Sequence, residues 1–233
     1  MSDAAVRAAA RTAQLSFDLY LITDLTLGIN LVAATDAALR AVPRGRVAVQ
    51  LRAKGTTAHG TTGAHGTTRE LIALARALRI TTRSHGALLF VNERADVARI
   101  VSADGVHLPE DSLTPSEARA VLGEDALVGV SCHDARGLTL AAEGRATFAT
   151  LSPFGASPGK GAPVAHARLA DLVAGASLPV LALGGVGADD VDRARGAGAH
   201  GVAVVRAIYA AADPAAAAAD LIRALDSAER ARR

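Results

Sequence analysis

Residues 179–196 read PVLALGGVGADDVDRARG. The run Val180–Gly184 is continuously apolar, with no polar residue on alternate positions, as expected of a strand buried on both faces. Gly184 and Gly185 then break it. Ala188-Asp189-Asp190 after Gly187 starts a helix, and Gly196 is its expected stop. The stretch is one β-turn-α unit, and the same unit recurs along the chain. Apolar runs bounded by turn residues occur at Leu19–Thr23, Val47–Leu51, Ala87–Val91, Gly105–Leu108, Leu127–Ser131, Phe148–Ser152, Val180–Gly184 and Gly201–Val205. Helix-spaced segments follow them, at 30–41, 69–79, 93–101, 114–122, 134–143, 165–174, 187–196 and 214–226. The fourth of these opens with Thr114-Pro115-Ser116-Glu117, a capping pattern with Pro at the first helical position.

Strands alternating with helices predict a parallel α/β fold. The strand count and the even repeat favour a single-domain (β/α)8 barrel, the TIM barrel, over an open doubly wound sheet. No G-x-G-x-x-G follows the first strand, as a dinucleotide-binding sheet would require. The chain of 233 residues is long enough for such a barrel. Residues 1–18 are expected to form a ragged or helical extension, 19–226 the barrel and 227–233 a short solvated tail.

Half of the residues are hydrophobic but only 3% are aromatic, so the core must be built from Ala, Val, Leu and Ile. A net charge of +2 without a Lys/Arg run interleaved with aromatics argues against nucleic-acid binding. No apolar run reaches membrane-spanning length, and residues 1–18 lack the apolar centre of a secretory signal. The single cysteine, Cys132, excludes a disulfide framework, and the expected setting is cytoplasmic. Residues 55–68, GTTAHGTTGAHGTT, read as a loop; His59 and His65 have no acidic or cysteine ligand nearby in sequence.

In a barrel of this kind the chemistry sits at the C-terminal ends of the strands. Those ends are polar here. Gln50, Arg52 and Lys54 fall on one side of an extended segment and suit an anionic ligand rich in heteroatoms. The Gly184-Gly185 pair lets backbone N–H groups approach a phosphate. Glu93 and Asp111 are candidate ligands for a hard divalent cation such as Mg2+, or two solvated acids at loop starts. In Ser131-Cys132-His133, alternation turns Cys132 away from its neighbours, so it reads as a buried structural cysteine, whereas His133 could serve as a general acid or base.

Seven segments then occur in order: VQLRAK (49–54), VNERADVA (91–98), ADGVHLPED (103–111), GVSCH (129–133), SPFGASPGK (152–160), PVLALGGV (179–186) and GVAVVRAI (201–208). Together they resemble the thiamine-phosphate synthase and thiazole tautomerase superfamily, from about Leu19 to Ile208. The resemblance implies condensation of hydroxymethylpyrimidine pyrophosphate with thiazole phosphate, releasing pyrophosphate. It implies pyrimidine-pyrophosphate contacts at Gln50, Arg52, Lys54, Asn92, Ser131 and Lys160, with Arg52, Lys54, Lys160, Ser131 and His133 the residues of catalytic interest. It implies Mg2+ at Glu93 and Asp111. The thiazole phosphate would lie at Ser157, Gly159, Gly185, Val205 and Arg206. Glu93 stands where the family has Asp, Ser157 and Gly159 where it has paired threonines, and Arg206 where it has serine. The alternatives are a tautomerase using His133, or a barrel that binds thiamine precursors without turnover. The expected partners are phosphorylated small molecules, with no nucleic acid or membrane, and a homodimer is allowed for.

Overall fold

Eight short strands pair in parallel with their sequence neighbours, and the last pairs with the first. They are β1 (Leu19–Ile22), β2 (Val47–Leu51), β3 (Leu88–Asn92), β4 (Gly105–Leu108), β5 (Leu127–Cys132), β6 (Phe148–Leu151), β7 (Val180–Leu183) and β8 (Gly201–Val204). The computed structural model describes residues 15–53, 67–155 and 166–232. The (β/α)8 barrel expected from the repeat is therefore the fold, and each apolar run forms a strand within a residue or so of its expected limits.

Period-2 geometry divides each strand between two cores. One set of positions, including Val47, Val49 and Leu51 of β2, packs outward against the helices in the larger apolar cluster. The alternate set fills the barrel interior: Tyr20, Ile22, Ala48, Phe90, Phe148, Leu181 and Ala203, with Leu15 and Phe17. Phe17, Tyr20, Phe90 and Phe148 pack with ring centroids 5.3 to 5.9 Å apart, most of the pairs edge-to-face. The few aromatic residues of this chain are thus concentrated where a barrel needs large inward side chains. Leu15 and Phe17, placed by sequence in an N-terminal extension, are part of this core instead; Phe17 is fully buried.

The outer helices are α1 (Leu31–Arg40), α2 (Thr68–His85), α3 (Ala95–Ile100), α4 (Pro115–Leu122), α5 (Ala135–Glu143), α6 (His166–Ala174), α7 (Val191–Gly196), α8 (Arg206–Tyr209) and α9 (Pro214–Ala231). Helix α2 runs six residues past its expected end. Its extension, Ile80–His85, contains two threonines and a serine, weak helix formers. Its two ends hold it: Thr67 and Glu70 form a capping box, and Gly86 closes the other end in the left-handed region at φ 67°. Helix α9 absorbs most of the expected tail and buries Ala228. No helix among the described residues is long and apolar enough to cross a membrane.

One glycine is required by the interior. A Cβ on Gly129 of β5 would lie 2.4 Å from the Phe148 ring and 2.6 Å from Nδ1 of His107. Its absence lets an aromatic ring and an imidazole occupy the same layer of the barrel.

Candidate active site

A cavity of about 740 Å³ opens at the C-terminal end of the barrel. Most of its walls come from strand ends, in strand order. Ile22 and Asp24 follow from β1, Gln50 and Arg52 from β2, Asn92 from β3 and His107 from β4. Pro109, Glu110 and Asp111 come next, then Ser131 and His133, Ser152, Leu183–Val186, and Ala203–Ala207. Of the sequence candidates, Gln50, Arg52, Asn92, Asp111, Ser131, His133, Gly185, Val205 and Arg206 are brought together here. Lys54, Ser157, Gly159 and Lys160, with His59 and His65, lie outside the described residues.

The floor is a chain of buried polar groups. Gln50 is 1% exposed, and its Nε2 donates to the Tyr20 hydroxyl at 3.2 Å. The Tyr20 oxygen lies 3.3 Å from Nδ1 of His107, and Nε2 of the same ring lies 3.1 Å from Oγ of Ser131. Thr150 approaches that nitrogen at 3.5 Å. These residues occupy inward positions of β1, β2, β4, β5 and β6, so the closed barrel itself creates the contacts. Burial, with a smaller contribution from the charge of Arg52, pushes the His107 imidazole down to about 3, so the ring is neutral at physiological pH. Burial also raises the Tyr20 phenol well above its ordinary value.

Positive charge faces the cavity above this floor. Arg52 is tied by its backbone: its N–H donates to Oγ1 of Thr23 at 2.9 Å, and Thr23 in turn reaches the Arg52 carbonyl. Burial lowers the Arg52 guanidinium below its ordinary value, partly offset by Asp24. Asp24 remains below the usual carboxylate range despite its own burial, because Thr26 donates to it and Arg52 and Arg206 add favourable charge. Asp24 is not among the sequence candidates, although Thr23–Asp24 ends the first strand run.

Gly184 and Gly185 both lie at positive φ, 99° and 62°, which turns the chain sharply at the end of β7. The β6 loop lies along this turn. Phe154 N–H donates to the Leu183 carbonyl at 2.8 Å, and Gly155 N–H donates to the Gly184 carbonyl at 2.6 Å. A Cβ on Gly155 would sit 2.8 Å from the Gly185 oxygen. The guanidinium of Arg193 stacks over the Phe154 ring at 4.1 Å and fixes the same corner.

The acidic side of the rim differs from expectation in detail. Asp111 and Glu110 line the cavity, whereas Glu93 is exposed and is not among its lining residues. Glu93 takes a left-handed backbone conformation, φ 64°, and its N–H donates to the His107 carbonyl at 2.8 Å. Glu110 is legible in the sequence only as part of the acidic loop. Two carboxylates on the loop after β4, lining a cavity with space for phosphate oxygens, are a donor set that suits Mg2+. Cys132 is fully buried on the outer side, as alternation requires. Burial, reinforced by Glu110 and Asp134, pushes its thiol up to about 12, so it supplies no nucleophile. His133 has Nδ1 2.8 Å from the Ser152 carbonyl, which makes Nδ1 the protonated nitrogen.

Comparison of the whole sequence with known families gives one match that spans most of the chain. The thiamine monophosphate synthase family matches residues 19–208. The thiamine-phosphate synthase of Salinispora arenicola is 38% identical over 210 residues, covering 89% of this chain and 96% of that protein. That of Anaeromyxobacter dehalogenans is 39% identical over 235 residues, covering 100% and 97%. A solved structure of thiamine phosphate pyrophosphorylase from Pyrococcus furiosus superimposes with a TM-score of 0.80 at 26% identity, covering 94% of this chain and 98% of that one. The chain belongs to the thiamine monophosphate synthase family.

Proposed function

We propose that the chain is a thiamine-phosphate synthase, a transferase that joins hydroxymethylpyrimidine pyrophosphate to thiazole phosphate with release of pyrophosphate. The observation that carries this reading is the convergence of Gln50, Arg52, Asn92, Ser131 and Gly185 on one cavity. The relatives of matching length carry this activity in their names.

The chemistry asks little beyond charge and position. The pyrimidine amino group supports a methylene cation as the C–O bond to pyrophosphate breaks. The thiazole nitrogen then attacks that carbon. No general base is needed, so the barrel must stabilise a departing trianion and hold the nucleophile in line. Arg52 and Ser131 meet the pyrophosphate, and the resemblance adds Lys54 and Lys160 to that role. Gln50 presents its amide to the pyrimidine edge from the floor. Asn92 contributes a neutral polar contact beside the acidic rim. The turn at Gly185, with Val205 and Arg206, receives the thiazole phosphate, to which the resemblance also assigns Ser157 and Gly159. His133 stands at the mouth, where a carbonyl fixes its tautomer.

Mg2+ would be held by Asp111 together with Glu93 or Glu110, and when bound it supplies charge neutralisation to the leaving pyrophosphate. Such an ion takes one or two carboxylates and completes its shell with water and phosphate oxygens. Asp111 and Glu110 are among the residues lining the cavity, which supports this assignment.

The test is chromatographic analysis of purified protein incubated with both precursors and Mg2+. Thiamine phosphate is the expected product. Isomerisation of a thiazole carboxylate phosphate that is lost in His133→Ala would instead establish tautomerase activity.

A further inference from the structure

The buried chain beneath the cavity contains residues that the condensation does not by itself explain. Tyr20 and His107 are both fully or nearly fully buried, at 0% and 1% exposure. Together they connect two residues that face the cavity, Gln50 on one side and Ser131 on the other. A phenol has one proton, and a neutral imidazole has one N–H. Those counts leave the chain only two self-consistent directions.

We infer that the Gln50–Tyr20–His107–Ser131 chain is a polarised relay that presents the Ser131 hydroxyl proton to the substrate's leaving group. The Gln50 amide donates to the Tyr20 oxygen. Among the described residues Nδ1 of His107, 3.3 Å away, is the one acceptor within reach of the Tyr20 proton, which therefore goes there. With Nδ1 accepting, the ring proton sits on Nε2 and is donated to Oγ of Ser131 at 3.1 Å. Ser131 then accepts from inside the barrel, and its proton is free for the cavity. Gln50 keeps its carbonyl and its second amide N–H for the ligand. In the opposite direction Ser131 would spend its proton on His107, and a developing anion would meet a lone pair. Tyr20 and His107 are positioning residues: they set which way two substrate-facing groups donate. The Tyr20 and His107 rings pack against Phe148, with centroids 5.4 and 5.7 Å away, which holds the heteroatoms of the chain in register.

This inference rests on the reading that Ser131 meets the pyrophosphate, but its direct test does not require turnover. Long-range nitrogen-15 to proton correlation of the full-length protein reports the tautomer of each of its 7 histidines, with His107 identified by its loss in His107→Gln. The expected signal is a neutral ring protonated at Nε2. A ring protonated at Nδ1, or a doubly protonated one, would overturn the relay. Two substitutions give a functional readout. In His107→Gln the longer side chain brings an amide nitrogen to the place of Nε2–H, whereas in His107→Asn the shorter one leaves its donor near the place of Nδ1. His107→Gln is therefore expected to retain kcat within about threefold and His107→Asn to lose about tenfold or more, the scale of one hydrogen bond. Equal activity in the two would count against the proposed direction. Tyr20→Phe keeps the ring in the aromatic cluster and is expected to lower kcat about tenfold, with the KM for thiazole phosphate unchanged; a matched rise in that KM would contradict the relay. A protein that turns over neither precursor yet carries the Nε2–H tautomer would overturn the assigned reaction while supporting the relay.

Discussion

His107 and Ser131 sit on neighbouring strands, β4 and β5, with Nε2 3.1 Å from Oγ at the floor of the cavity. Their contact joins the buried floor to the surface that meets substrate. Ser131→Ala removes a donor aimed at a developing negative charge. Loss of such a donor typically costs about 100-fold in kcat. Steady-state kinetics should show that loss mainly in kcat, with the KM for the thiazole little changed.

His107 also gives the fold a pH dependence. Its native value is about 3, against 6.5 for the free side chain, so between these limits the unfolded chain binds a proton that the native state does not. Stability is complete above pH 6.5 and declines as pH falls toward 3, with a slope of about 1.4 kcal/mol per pH unit from this group. Urea denaturation at several pH values should show this component, and His107→Gln should lack it.

Gly129 makes room for Phe148 and His107 at once. Gly129→Ala would place a methyl group 2.4 Å from one ring and 2.6 Å from the other. Overpacking of a rigid layer costs roughly 1–3 kcal/mol. Thermal denaturation should show a melting point lowered by several degrees, and activity should fall with it because His107 is displaced.

The acidic rim contains three carboxylates but needs two at most for Mg2+. Asp111→Ala is expected to raise the Mg2+ concentration needed for half-maximal activity by about tenfold or more. Glu110→Ala and Glu93→Ala should separate the remaining role. Because Glu110 lines the cavity and Glu93 does not, the larger change is expected for Glu110→Ala. A larger change for Glu93→Ala would restore the pair suggested by sequence.

The sequence carried the architecture because buried parallel strands leave a strong signal, continuous apolar runs such as Val47–Leu51 and Val180–Leu183 bounded by turns. It carried most of the rim for the same reason: a polar residue at the end of an apolar strand has few other uses. It did not reveal Phe17. An aromatic flanked by Ser16 and Asp18 has no periodicity, and only closure of the barrel shows that it caps the interior. Nor did it reveal Tyr20 and His107 as a pair. They are 87 residues apart, and a lone polar residue inside an apolar run reads as an imperfect strand until β1 and β4 face each other across the interior. The end of α2 was hidden too, because Thr81, Thr82 and Ser84 in its last turns are weak helix formers.

The synthase activity is tested most directly by the stoichiometry of one reaction. With both precursors and Mg2+, purified protein should form thiamine phosphate and pyrophosphate in equal amounts, and neither product when one precursor is withheld. The absence of both products in the complete mixture, with either Mg2+ or Mn2+, would contradict it.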